Sequence, residues 1–186
     1  MTDPKFLPAF AGWLRLMGED VLSLANLLDA PEAPAPFRQA AAEALNALIR
    51  QAQLIPEGIE ALGYLEGAFA FRVIAEHALA GSPEPVEGAA DGRVPRLAAD
   101  AALVTEFLGD DLPRFREIWL APEATARAGR AAGELLEDEA LRQEVLGEAR
   151  EWVERYQAPE LGEGPEELVK VESFFRTRLR RVERAE

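Results

Sequence analysis

Apolar residues recur at every third or fourth position along most of the chain, the spacing of one face of an α-helix. Near the start, Phe6, Phe10, Trp13, Met17, Val21, Leu24 and Leu28 fall on a single stripe. Asp3 before Pro4 has the form of a cap followed by a first-turn proline. Pro31, Pro34 and Pro36 end that helix, because proline lacks an N–H and disfavours helix in the residue before it. A second, Ala- and Leu-rich helix is predicted from about Phe37 to Leu54, and a third, after the break at Pro56, from about Glu57 to Ala80.

Residues 81–93, GSPEPVEGAADGR, offer almost nothing to bury and read as a loop. Leu97, Ala101, Val104 and Leu108 predict a fourth helix, stopped by Gly109, and Asp111 stands where it would cap a short helix carrying Phe115, Ile118 and Trp119. From Pro122 to Tyr156 the pattern allows one long helix or two, with Leu141, Val145, Ala149, Trp152 and Tyr156 in period. Residues 158–165, APELGEGP, have linker composition, and a last helix carries Leu168, Val171, Phe175, Leu179 and Val182. No alternating strand of four residues or more is found. The expected fold is all-α, a bundle of seven or eight helices. Residues 1–157 form its body, 158–165 a linker and 166–186 an Arg-rich terminal helix.

Charge narrows the function. There are 34 acids against 20 bases, a net charge of −14, so the surface would repel a phosphate backbone and no nucleic-acid partner is expected. The chain has no cysteine and one histidine, which removes disulfides, thiolate zinc sites, thiol nucleophiles and His-rich metal clusters. MTDPKFLPAF is not built like a secretory signal, and no apolar run reaches the ~18 residues of a membrane span, so a cytoplasmic protein is expected. Eighteen of the 20 bases are arginine, in an Ala-, Gly- and Pro-rich background, the mark of a GC-rich bacterial genome.

Residues 53–67, QLIPEGIEALGYLEG, carry the one distinctive motif. They resemble the signature of the YkvA-like bacterial domain of unknown function, D-L-I-P-D-x-I-P-x-L-G-Y-L-D-D. Leu54, Ile55, Pro56, Ile59, Leu62, Gly63, Tyr64 and Leu65 match it, and Glu57 and Glu66 replace its aspartates. Gln53, Glu60 and Gly67 depart from it. The resemblance extends loosely over about 37–80 and implies a small helical hairpin around 53–67, often membrane-associated, with no established reaction. The helix before the motif departs from the membrane-associated form, since it holds Arg38, Glu43, Asn46, Arg50 and Gln51.

Within this segment Glu57, Glu60, Tyr64 and Glu66 are the candidate ligand or partner site. Glu57 and Glu60 lie near a helix N-terminus, which favours negative charge. Glu66 has Leu62, Gly63, Phe69 and Ala70 at helical spacing, so it is expected to point inward. A buried carboxylate needs a partner or a proton, and a structural ion pair with an arginine of another helix is the favoured expectation over a ligand site.

Other chemistry is thin. Glu76 and His77 are adjacent and face apart, without the second histidine of a helical metal motif. Asp110, Asp111 and the run Glu134, Glu137, Asp138 and Glu139 lack EF-hand spacing and a phosphate-cradling glycine loop, and read as solvated faces and caps. Ser23, Ser82 and Ser173 sit in no nucleophile elbow. No cofactor, metal or catalytic residue is expected.

The last eleven residues, RTRLRRVERAE, carry five Arg and two Glu, hence +3, leaving −17 on the other 175. Arg176, Arg178, Arg180 and Arg181 are therefore candidates for docking on an acidic body, the chain's own or a second copy's, in preference to anionic lipid. The favoured expectation is a non-enzymatic interaction or scaffolding protein with a protein partner or self-association. The alternatives are a peripheral membrane protein, and a helical enzyme or small-molecule binder using the carboxylates at 57, 60 and 66.

Overall fold

A computed structural model of the chain describes residues 3–51, 60–81, 92–120 and 131–183. Among these the fold is all-α, with no strand and eight α-helices: α1 Phe6–Asp29, α2 Ala35–Gln51, α3 Glu60–Ala80, α4 Arg93–Leu108, α5 Leu112–Leu120, α6 Ala132–Glu137, α7 Glu139–Arg155 and α8 Pro165–Glu183. Residues 109–111 add a turn of 3-10 helix.

Local chemistry explains the boundaries. The Asp3 carboxylate accepts from the Lys5 N–H at 2.9 Å, and the Asp3 carbonyl from the Phe6 N–H, so the Asp-Pro pair starts α1. Ala30 is already extended (φ −83°, ψ 103°), the conformation a following proline demands. Gly109 closes α4 at φ +50°, a backbone that strains any other residue, and its N–H bonds to the Thr105 carbonyl. The helical pattern after residue 131 resolves into two helices. Asp138 leaves helical geometry (φ −98°, ψ 108°), and its carboxylate accepts from the Leu141 N–H to cap α7. Pro56, Pro122 and the 82–91 stretch lie outside the described residues.

The helix α3 is the axis of the bundle. Leu65, Ala68, Phe69, Ala70, Phe71, Val73, Ile74 and Ala75 are all buried, so it has no polar face and is covered all round. It packs on α4, α2, α1, α5 and α8, while α7 lies across α1 and α2. The core is unusually aromatic: Phe69 meets Phe10 from α1, Phe107 from α4, Phe115 from α5 and Phe175 from α8.

Leu161 is buried in the core, so the segment between α7 and α8 is pinned near its middle and is more than a solvated tether. Beyond it α8 lies on the body, burying Leu168, Val171, Phe175 and Leu179, with the Phe175 ring stacked on Phe69 at 4.6 Å.

Candidate functional site

The two candidate residues of the 53–67 segment whose side chains are described, Tyr64 and Glu66, do not share one place. Glu57 lies outside the described residues, and Glu60 opens α3 with its side chain outside the described part. Leu65 is fully buried and Leu62 half-buried against the core. Tyr64 is half-buried with its ring edge-on to Trp152 (5.8 Å) and Tyr156 (5.2 Å) of the α7 end. Glu66, two residues on, turns to a different side of α3 and meets α8, where its Oε2 is 3.4 Å from Nε of Arg178. Tyr64 and Glu66 thus serve opposite helices and form no common pocket.

Glu66 is buried, and its partner Arg178 is half-exposed. Burial pushes the Glu66 carboxyl above the ordinary carboxylate range, and the Arg178 charge and hydrogen bond pull it back only in part. The sum disfavours the charge. The Tyr64–Tyr156 side is held differently: the Tyr156 hydroxyl donates to the Leu14 carbonyl of α1 at 2.7 Å, and its ring stacks on Trp152. Burial, then the neighbouring Tyr64, raises the Tyr156 hydroxyl far from any titration near neutrality.

Of the three candidate arginines whose side chains are described, Arg178 has an ion-pair partner inside the fold. Arg176 and Arg180 are exposed on α8, without an ion pair among the described residues, and the side chain of Arg181 lies outside the described part. His77 is exposed at the end of α3, while Glu76 pairs with Arg116 of α5 at 2.5 Å. The Ser23 hydroxyl donates to the Glu19 carbonyl one turn back. The acidic run behaves as caps and surface: Glu134 accepts from the Ala131 N–H, and Asp138 caps α7. Among the described residues no group of three acids or histidines is placed to hold a metal ion.

The strongest constellation was not among the candidates. Arg72 of α3 has no solvent exposure and points at two carboxylates. Its Nη2 is 3.3 Å from Asp100 Oδ2 of α4 and 3.9 Å from Asp20 Oδ2 of α1. Its Nη1 donates to the Ala68 carbonyl at 2.8 Å, and the guanidinium lies 3.9 Å over the Trp13 ring. Asp20, itself buried, also takes Arg96 of α4. Among the described residues two arginines face two aspartates, and the cluster joins three helices. Burial lowers the Arg72 guanidinium to about 10, Asp20 and Asp100 opposing that fall, so it stays charged at neutral pH. Such a group holds helices in register and cannot serve as a base. The sequence carried part of the signal: Asp20 has Leu16, Met17, Ser23 and Leu24 at helical spacing, all without charge, whereas Arg72 has Ala68, Phe69 and Ala75 but also Glu76. The test that turned Glu66 inward turns Asp20 inward too, while Glu76, one turn on, offered Arg72 a surface ion pair instead.

No helix among the described residues is long and apolar enough to cross a membrane. Comparison with protein-family models, with curated proteins and with solved structures finds no match to this chain.

Proposed function

We propose that the chain is a non-enzymatic helical interaction module of the cytoplasm, built on a divergent YkvA-like hairpin. The observation that carries this reading is how the interior charges are used. Asp20, Arg72 and Glu66 each engage a side chain of another helix, so the buried titratable groups hold the scaffold together. The charge left for recognition lies on outer helix faces. Leu54, Ile55, Pro56 and the Leu62–Leu65 stretch support the family assignment by sequence. Two features weigh against the alternatives. The apolar row of α8, Leu168, Val171, Phe175 and Leu179, faces the core and is not free to enter a lipid surface. Glu66 faces a cation of its own chain, which leaves a carboxylate-based binder without its central group.

The test is photo-crosslinking in the host cell from two exposed apolar positions, Leu22 on α1 and Val169 on α8, with core position Val104 as control. Protein adducts from either exposed position, absent from the control, are expected. Absence of adducts, together with a melting-temperature rise in a metabolite screen, would overturn the reading in favour of a small-molecule binder.

A further inference from the structure

The inner side of α8 is occupied by the core, so its opposite side faces solvent. That outer side carries Val169, Ser173, Arg176, Thr177 and Arg180, all exposed. Arg176 and Arg180 stand one turn apart, and the small Ser173 and Thr177 keep the row low between them. Neither arginine has an ion pair among the described residues, in a protein of net charge −14. The row points away from its own body, so it is open to the acidic surface of another molecule.

The same chain offers that counter-charge. At the α6–α7 corner an open groove of about 650 Å³ is lined by Glu134, Glu137, Asp138, Glu139, Ala140 and Leu141. Glu134 and Asp138 are turned to backbone N–H groups, while Glu137 and Glu139 are exposed with no ion pair among the described residues. The corner exists because Asp138 breaks the helix, so carboxylates of two helices converge on one concavity. A row of two cations and an open acidic corner are complementary in charge.

We propose that the Arg176–Arg180 row of α8 docks into the acidic α6–α7 corner of a second copy of this chain. The contact joins two different surfaces, so each copy keeps one free row and one free corner, and association grows head to tail. An anionic membrane is the less favoured partner. Among the described residues Val169 is the one exposed large apolar side chain on this face, which leaves little to insert into a lipid surface. The proposal rests on the interaction-module reading and names its partner.

The experiment is sedimentation velocity on the full chain over a range of protein concentration, in salt from about 0.01 to 1 M, where the screening length shrinks from roughly 30 to 3 Å. Concentration-dependent dimers and longer species are expected at low salt, with their loss at high salt. R176E/R180E and E137R/E139R, each checked for unchanged helicity and melting temperature, should be monomers alone. Mixed in equal amounts they should associate again, since the basic row of the second variant meets the intact corner of the first. A parent chain that stays monomeric at low salt overturns the proposal, as does a variant that associates like the parent or a mixture that does not. Flotation of the parent chain with phosphatidylserine vesicles, lost in R176E/R180E, would overturn it in favour of lipid. A monomer that still yields adducts with other proteins from Val169 sinks self-docking alone, whereas a monomer without adducts sinks the module reading as well.

Discussion

Arg72 and Glu66 lie on the same helix, both shut away from water, and the bundle treats them differently. Arg72 receives two carboxylates, a backbone carbonyl and the face of an indole, drawn from α1, α3 and α4. Glu66 receives one half-exposed arginine from the last helix. Arg72 sits where three long helices converge, and removal of its charge would take the shared cation from Asp100 and leave Asp20 to Arg96. Glu66 sits under α8, close enough to the surface for its partner to share its charge with water. Burial alone therefore does not set the worth of a charged residue; the number of groups that depend on it does.

The comparison breaks most visibly at Arg72. Arg72→Met should cost on the order of 3 kcal/mol, because buried Asp20 keeps Arg96 but loses its second cation, and the partly exposed Asp100 loses its Arg72 partner. Urea denaturation measures it. Asp20→Asn combined with Arg72→Met should cost clearly less than the two single changes added together. Strict additivity would mean that the cluster is not a coupled unit.

On the α8 side, packing should matter more than charge. Phe175→Ala should cost about 3 kcal/mol, from the loss of a buried ring against Phe69, Phe107 and Phe115. A melting temperature unchanged in Phe175→Ala would show that α8 does not contribute to the folded body.

A smaller effect is expected at the end of α7. Tyr156→Phe removes the hydroxyl bond to the Leu14 carbonyl but keeps the ring stacked on Trp152, for a loss of about 1 kcal/mol.

The smallest change is expected at Glu66, and it has a sign. The folded carboxyl titrates above its ordinary range, so its contribution to stability is complete below that range and declines as pH rises through the raised value. Gln is neutral throughout. Glu66→Gln should therefore be within about 1 kcal/mol of the parent at neutral pH, and should gain on the parent as pH is raised from the ordinary carboxylate range. Paired urea midpoints across that interval test it. A variant that loses ground with rising pH would show that Arg178 outweighs the cost of burial and would place Glu66 beside Arg72 in kind.

Much of this architecture is legible in the order of residues alone. The stripe from Phe6 to Leu28 fixes α1, Pro31 fixes its end, and Gly109 fixes the end of α4, because each is decided by neighbours within one or two turns. The inward turn of Glu66 is legible for the same reason, since Leu62, Gly63, Phe69 and Ala70 leave it no polar side. Local pattern also holds the break at Asp138, where a capping residue interrupts a stretch whose period alone allowed one helix.

What the chain could not disclose was pairing. Nothing near Glu66 in sequence names Arg178, which is 112 residues away, and nothing near Arg72 names Asp20 or Asp100. Helical period tells which residues turn inward, but a partner is chosen by which helices pack together, and that follows from the shape of the whole core. The same holds for Arg176 and Arg180: their charge is plain in the sequence, while the packing of Leu168, Val171, Phe175 and Leu179 decides that they face outward. Propensity and caps act over a few residues, whereas burial and ion pairing act across the bundle. Helices and inward faces were therefore set by the sequence locally, and charge partners only by the tertiary fold.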